Sequence, residues 1–323
     1  ETAVKNMIHR SLEIVFPGFD EVPGVHVFGT PALMLMKDNF HAERVSRMRQ
    51  PTLAAKLKQH GERNPDAVAF AIIAAAKSAT RCRGLCREHT LILKQHADTL
   101  MNIETALRLQ TTAMGRALAQ TDGAYLTTIP GIGVVLAGHI VAEIGMSGLY
   151  GSADRTASYA GIIPRDYQTG GPESPVKHGH LPKDCNRALK DCLLQAANHV
   201  GTTPLPGPQA AGCHRQHDLM AYYQEKDARG EKSRLGTARK LLRIINAMAS
   251  RKTAYQPTQW FEAHQNVPGC VPIYLETMLT SLAGKWKTVG LNIEEDNELG
   301  NFAKSYRELV EKYRTSRVTT LED

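Results

Sequence analysis

The chain has 323 residues, of which 42% are hydrophobic and 22% are charged. This composition excludes an intrinsically disordered protein and is sufficient for about two domains with buried cores. No uninterrupted apolar stretch approaches the roughly 20 residues that cross a bilayer. The sequence therefore predicts a cytoplasmic protein with no membrane partner.

The positive charge is concentrated in one part of the chain. The formal net charge is +7, and residues 161–255, with 15 basic and 8 acidic side chains, supply all of it. Such a concentration favours a polyanionic partner, because each phosphate that a cation neutralises releases condensed counterions. The alternative interpretation from charge alone is a basic surface that only keeps the protein soluble.

The six cysteines include no Cys-x-x-Cys pair, and the sequence starts without a secretory signal. They are therefore expected to be reduced thiols. Cys213, His214 and His217 stand close together, but no second pair of ligands follows at the spacing of a zinc finger. The sequence predicts no metal site.

The first 80 residues are predicted to form a helical linker region, because apolar residues recur with the helical period and proline stands where helices begin. The predicted helices are 4–16, 32–37, 51–57 and 67–79. Residues 81–120 contain no proline and only two glycines. They predict one long helix, a helical hairpin or a coiled coil, since the apolar period is imperfect.

Residues 121–257 are predicted to form a second helical domain, in which glycine and proline first recur and helices then follow. The predicted helices are 183–200, 219–229 and 233–252. The last of these has an apolar stripe and a basic stripe that includes Arg239, Lys240 and Arg243. Residues 258–323 are a weakly periodic extension without a predicted function. The fold class that follows is mainly α.

The segment from Thr128 to Gly133 reads Thr-Ile-Pro-Gly-Ile-Gly, which is the pattern of a helix-hairpin-helix turn. Gly131 and Gly133 let the backbone bend tightly and approach a phosphate closely. The amides that begin the next helix donate hydrogen bonds to that phosphate, which carries no sequence information. The motif predicts nonspecific binding of double-stranded DNA. The alternative is a helix–helix turn without a ligand.

A longer series of residues continues from this turn to residue 257. Its members are Ser152, Tyr159-Ala160-Gly161, Pro164-Arg165, Gln168-Thr169-Gly170-Gly171, Lys183, Asn186, Leu189, Ala196-Ala197, Arg229-Gly230, Ala238-Arg239-Lys240-Leu241-Leu242 and Tyr255-Gln256-Pro257. In order and spacing they resemble the C-terminal transposase domain of the insertion sequence 110 family, which includes bridge-RNA-guided recombinases and Piv-type DNA invertases. The residues before Gln120 resemble, more loosely, the linker and coiled-coil region of that family.

The resemblance implies a transposase or site-specific recombinase of a mobile element that joins strands through a hydroxyl nucleophile. It places that nucleophile at Thr169, because the family's serine precedes the glycine that corresponds to Gly170. A threonine hydroxyl can attack phosphorus, but its methyl group crowds the in-line approach. Ser174 is an alternative nucleophile, and a turn residue without a chemical role is a third interpretation. Catalysis is therefore expected to be impaired.

The resemblance also implies a divalent metal, which the family holds with four acidic residues of an N-terminal nuclease-like domain. That domain is expected upstream of Glu1, and no acidic residue of this chain is assigned to it. No cofactor is therefore expected here, and Mg²⁺ only together with the missing domain. The alternative function is a non-catalytic DNA-binding fragment or a domesticated derivative of such a transposase.

Basic residues around the expected nucleophile are predicted to contact phosphates. They are Arg165, Lys177, Lys183 and Lys190. Gly170 and the basic stripe of Arg239, Lys240 and Arg243 are predicted to contact DNA as well. Lys190 stands where the family has arginine, and lysine keeps the charge but lacks the bidentate fork. The implied partners are double-stranded DNA, a guide RNA and further copies of the chain, in a dimer or tetramer assembled through the long helix.

Overall fold

The computed structural model describes residues 1–38, 40–79, 86–145, 152–164, 166–167, 177–205, 215–264 and 270–292. Within these residues the chain is mainly helical, which confirms the predicted mainly α fold class. It divides into two compact units, Glu1–Leu109 and Gln110–Asp323. No helix of the described part is both long and apolar enough to cross a membrane.

The first unit is a cluster of short helices. They are α1 (Thr2–Val15), α2 (Thr30–Lys37), α3 (Ala42–Ser46), α4 (Gln50–Gln59) and α5 (Pro65–Ser78), with a 3-10 turn at Phe19–Glu21. Proline stands in the first turn of α2, α4 and α5, where its missing N–H costs no helical hydrogen bond. Phe16, Phe19 and Phe40 pack against one another in the core of this unit.

The long helix α6 (Cys86–Ala119) has 34 residues. It confirms the prediction of a long helix and shows that residues 86–119 do not fold back as a hairpin. Leu93, Ala97 and Leu100 are buried in the core of the first unit, and Leu118 is buried in the core of the second. A coiled coil with another copy of the chain stays a prediction.

The second unit contains a 3-10 helix (Asp122–Thr128) and the helices α7 (Val134–Ile144), α8 (Ala153–Tyr159), α9 (Arg187–Thr202), α10 (Asp218–Ala228) and α11 (Ser233–Arg251). Three of the α-helices begin at a residue whose side chain accepts a hydrogen bond from a backbone amide of the first turn: Ser152 for α8, Asn186 for α9 and His217 for α10. Such caps satisfy amides that have no partner within the helix.

Between α8 and α9 the chain forms a short antiparallel ladder. Strand β1 (Asp166–Tyr167) pairs with β2 (Lys177–His178), with Asp166 opposite His178 and Tyr167 opposite Lys177. The segment 168–176 between the two strands lies outside the described residues.

The described part of the C-terminal extension belongs to the core of the second unit. It comprises α12 (Thr258–His264) and α13 (Cys270–Lys287). The carboxylate of Asp218 accepts hydrogen bonds from the amides of Gln259 and Trp260, at 3.2 and 3.1 Å, which ties the start of α12 to α10. Trp286 is fully buried among residues of α7, α9 and α11 that share one hydrophobic core.

Candidate nucleic-acid interface

A tight turn joins the 3-10 helix Asp122–Thr128 to α7. The amide of Ile132 donates to the carbonyl of Ile129 at 3.1 Å, and Gly131 has a φ of +80°. Proline in the second position and a positive φ in the third are features of a type II turn, which favours glycine in the third position. Local sequence therefore accounts for the bend at the place where the motif predicted one.

Gly131 faces α9 rather than solvent. A Cβ built on Gly131 would lie 2.6 Å from the carbonyl carbon and 2.7 Å from the carbonyl oxygen of His199, and 2.9 Å from the nitrogen of Val200. Only a residue without a side chain allows the turn to pack this closely against the backbone of another helix. The role of Gly131 visible in the structure is to pack the turn on α9.

Gly133 lies in a different environment from Gly131. It is the N-cap residue of α7, with a φ of −94°, and a Cβ built on it would have no heavy atom within 4 Å. No described residue accepts a hydrogen bond from the amides of Val134, Val135 or Leu136. Open space beside unpartnered amides at a helix start is the geometry in which a helix binds an anion.

α7 and α9 run antiparallel, because contacts at their opposite ends fix their directions. The turn before α7 touches His199 near the end of α9, and Glu143 near the end of α7 accepts a hydrogen bond from Asn186 at the start of α9, at 2.6 Å. The amide group of Asn186 also contacts the hydroxyl of Tyr159 at 3.0 Å. Asn186 therefore joins the ends of α7, α8 and α9.

Two of the predicted phosphate contacts, Lys183 and Lys190, lie around the start of α9. Lys183 is exposed and Lys190 is half-buried, and neither forms an ion pair with any residue that the structure describes. Arg187, the first residue of α9, was not among the predicted contacts; it is also exposed and also makes no ion pair within the described ranges. Its position directly after the capping Asn186 was the signal that would have found it.

The turn and this cationic group lie at opposite ends of α9. Arg187 and His199 are twelve residues apart, which is about 18 Å along a helix that rises 1.5 Å per residue. At 3.4 Å per base pair, this distance corresponds to roughly five base pairs of duplex DNA. The two groups are therefore too far apart to contact the same phosphate.

The three predicted cations of α11 have partners inside the protein. Arg239 donates through Nε to the carbonyl of Ile162 at 2.8 Å, and the Lys240 ammonium lies 4.4 Å from the centre of the Tyr222 ring. Arg243 forms an ion pair with Asp154 at 3.4 Å, and both of these side chains are exposed. Arg239 and Lys240 thus join elements of the second unit, whereas an exposed pair such as that of Arg243 is weak and easily exchanged.

The predicted catalytic residues lie outside the described part of the chain. Thr169, Gly170 and Ser174 belong to the segment between β1 and β2, and Arg165 directly precedes β1. Lys177 is in β2, where its backbone pairs with that of Tyr167. The assignment of the nucleophile and of these two basic residues stays a prediction.

His217, which the sequence analysis considered as a metal ligand, has both ring nitrogens engaged. Nδ1 accepts from the amide of Met220 at 3.4 Å, and Nε2 lies 3.1 Å from the carbonyl of Thr203. Burial lowers the pKa of His217 to about 4, so the ring is neutral at pH 7. Cys213 and His214 lie outside the described residues. Within the described ranges, no group of three or more His, Cys, Asp and Glu side chains is placed to hold a metal ion.

Comparison with known proteins gives matches in this part of the chain. Residues 123–206, which include the turn, α7, α8 and α9, match the family model described as Transposase IS116/IS110/IS902 family. The chain is 25% identical over 167 residues to a probable family 20 transposase of Pseudomonas aeruginosa, a match that covers 51% of this chain and 47% of that protein. It is 27% identical over 134 residues to the insertion element IS110 uncharacterized 43.6 kDa protein of Streptomyces coelicolor, covering 41% of this chain and 29% of the relative. These matches thus span less than half the length of either relative.

Proposed function

We propose that the chain is part of a transposase of the IS116/IS110/IS902 family, whose model residues 123–206 match, and that its second unit binds the sugar-phosphate backbone of double-stranded DNA. The match of residues 123–206 and the two relatives support a transposase of a mobile element. The observation that carries the proposal is the open space at Gly133 next to the unpartnered amides of α7. A phosphate oxygen fills such a space and accepts from those amides, and the positive end of the helix dipole favours it.

The cations at the start of α9 form the second contact. Lys183, Arg187 and Lys190 have no acidic partner among the described residues, so their charge is available to a polyanion. Arg187 lies in the first turn of α9, where the positive end of the helix dipole disfavours a cation. A phosphate bound there interacts favourably with both the guanidinium and the dipole. Both contacts are to the DNA backbone and select a duplex without selecting its sequence.

Strand transfer is proposed to use the hydroxyl of Thr169, with Ser174 as the alternative. The hydroxyl oxygen displaces a deoxyribose oxygen from phosphorus, which leaves a covalent protein–DNA linkage and a free sugar hydroxyl. Attack of a second sugar hydroxyl on that linkage joins the new strands and returns the side chain. The described residues do not offer the carboxylates that a Mg²⁺ site of this family requires, so no step through a metal is assigned to them.

The described surface of α6 supports the proposal of a dimer or tetramer. Leu91 and Leu109 of this helix are 62% and 68% exposed. A second copy of the helix is proposed to cover them. Light scattering that gives the mass of a single chain with DNA bound would contradict this assembly.

The purified chain is expected to bind duplex DNA with a steep dependence on salt. Three phosphate-neutralising cations give a slope of about −3 in a plot of log affinity against log salt concentration. Fluorescence anisotropy of a labelled duplex between about 50 and 200 mM salt measures it. With Mg²⁺ added, neither the wild-type chain nor Thr169→Ser is expected to cut the duplex. Affinity that does not depend on salt would contradict the proposed interface. Cleavage of the duplex would contradict the proposal that this chain binds DNA but does not cut it by itself.

Replacing Gly133 with aspartate is expected to stabilise the folded protein and to weaken DNA binding at the same time. Aspartate is a favoured N-cap residue and interacts well with the helix dipole, so α7 should be stabilised by up to about 1 kcal/mol. The same carboxylate occupies the proposed phosphate position and repels DNA, which should weaken binding by about tenfold or more. Thermal melting and anisotropy measure the two effects on one sample.

Gly133→Asn is the matched control, because asparagine caps a helix about as well as aspartate and carries no charge. It should bind DNA more weakly than the wild type but more tightly than Gly133→Asp. Equal affinity of all three proteins would show that no phosphate approaches the start of α7.

A further inference from the structure

Lys285, in the last turn of α13, reaches the backbone directly before the turn. Its ammonium donates to the carbonyl of Thr127 at 2.6 Å and to the carbonyl of Ile129 at 3.1 Å. Thr127 and Ile129 are both fully buried. The lysine belongs to the C-terminal extension and the carbonyls to the segment that leads into α7, so the contact joins parts of the chain that are 158 residues apart.

The sequence of the turn explains why a donor is needed there. In a 3-10 helix the carbonyl of residue i accepts from the amide of residue i+3. For Thr127 that residue is Pro130, which has no N–H. A buried carbonyl without a donor costs free energy comparable to a lost hydrogen bond. Lys285 therefore supplies the hydrogen bond that Pro130 removes.

The second carbonyl belongs to the turn itself. Ile129 also accepts from the amide of Ile132, at 3.1 Å, and this bond closes the turn around Pro130 and Gly131. One ammonium thus holds the end of the 3-10 helix and the first residue of the turn at the same time. Burial lowers the pKa of Lys285 to about 8, so the group remains mostly protonated at pH 7.

The neighbour of Lys285 holds α13 in place. Trp286 is fully buried in the core of the second unit, together with Leu282 of the same helix and Val289 after it. A side chain on a helix fixed in this way loses little further freedom when it makes two hydrogen bonds. Lys287, two residues along, is exposed and forms no ion pair within the described part of the chain.

We propose that Lys285 is a positioning residue for DNA binding: it fixes the turn so that Gly133 and the amides of α7 face the phosphate, and it makes the extension part of the DNA-binding unit. The inference rests on the proposed function of the turn. Lys285 itself does not touch DNA in this proposal, because its donors are directed to the two carbonyls. Its removal should therefore lower affinity without removing a phosphate contact.

The experiment compares the wild-type chain with Lys285→Met, Lys285→Arg and Lys287→Met. Anisotropy of a labelled duplex gives the affinity and its salt slope, and far-UV circular dichroism with thermal melting establishes that each protein is folded at the assay temperature. Lys285→Met keeps the length of the side chain and removes its donors. Lys287→Met removes the same charge from the same end of α13 and is the matched control.

Lys285→Met is expected to bind about tenfold more weakly than the wild type with an unchanged salt slope, because one charged hydrogen-bond donor is lost and no phosphate contact is lost. Lys285→Arg is expected to recover most of the affinity, and Lys287→Met is expected to stay within about twofold of the wild type.

Three results overturn the inference. The first is equal affinity of Lys285→Met and Lys287→Met. The second is a salt slope of Lys285→Met that is shallower by about one, because this would identify Lys285 as a phosphate contact. The third is a folded Lys285→Arg variant that does not recover the affinity. Should Lys285→Met not fold, Lys285→Gln is judged by the same affinity and slope. If the wild-type chain does not bind DNA, it is the proposed function that fails.

Discussion

Alanine in place of Gly131 is expected to lower the free energy of unfolding of the second unit by about 3 kcal/mol or more. Two effects add. A positive φ of +80° strains any residue with a Cβ, by roughly 1–3 kcal/mol. The new Cβ would also meet the backbone of His199 and Val200 at 2.6 to 2.9 Å, and helix backbone cannot move aside as a flexible side chain can.

Urea unfolding followed by tryptophan fluorescence measures this change. The chain has two tryptophans, Trp260 and Trp286, and both lie in the second unit, so the signal does not include the first. Gly133→Ala is the control in the same turn, because its φ is negative and its Cβ would have no neighbour within 4 Å. That variant should lose no more than about 1 kcal/mol, as expected for a weaker N-cap. Equal midpoints for the two variants would mean that the turn does not pack on α9.

The sequence predicted the turn and the resemblance to the family well, because both can be recognised from short stretches of sequence. A Pro-Gly pair followed by a helical apolar pattern determines its own conformation, and the structure has the tight turn and α7 where these residues stand. The resemblance to the insertion sequence 110 family, from motifs that lie mostly in residues 123–206, agrees with the family model that these residues match. The pattern could not separate the two glycines, because the difference between them arises from α9, which is distant in sequence.

Helical periodicity did not reveal that the cations of α11 have partners elsewhere in the fold. A helical pattern assigns Arg239, Lys240 and Arg243 to one helix, but their partners Ile162, Tyr222 and Asp154 lie on other elements. A basic stripe on a helix can therefore hold a domain together as readily as it can meet a phosphate. Lys183 and Lys190 differ from these three cations, because they have no acidic partner among the described residues.

The extension was the least predictable region, because its stability depends on contacts between distant residues. Its described part contributes Leu282, Trp286 and Val289 to the core of the second unit, and one of its polar contacts reaches back to Thr127. Thr112 of α6 likewise donates to the carbonyl of Val289 at 2.6 Å, across 177 residues of sequence. Such pairings are determined by the tertiary fold and leave no local pattern in the chain.

Trp286→Ala is expected to be the most destabilising single change in the extension. Trp286 is fully buried, and truncation of a buried tryptophan to alanine costs about 3 to 5 kcal/mol through lost contacts and the cavity left behind. Because Trp286 shares its core with Leu193, Ala197 and Leu241, the loss should destabilise α9 and α11 together with α13. Urea unfolding followed by the fluorescence of the remaining Trp260 reports the whole second unit.

Two comparisons make this prediction specific to burial. Trp286→Phe keeps most of the buried ring and should lose substantially less than Trp286→Ala, whereas Lys287→Ala on the exposed side of the same helix should stay within about 0.5 kcal/mol of the wild type. If Trp286→Ala unfolds at the same urea concentration as Lys287→Ala, α13 is not part of the core. In that case the extension cannot hold Lys285 beneath the turn, because a helix that does not pack cannot fix the position of its side chains.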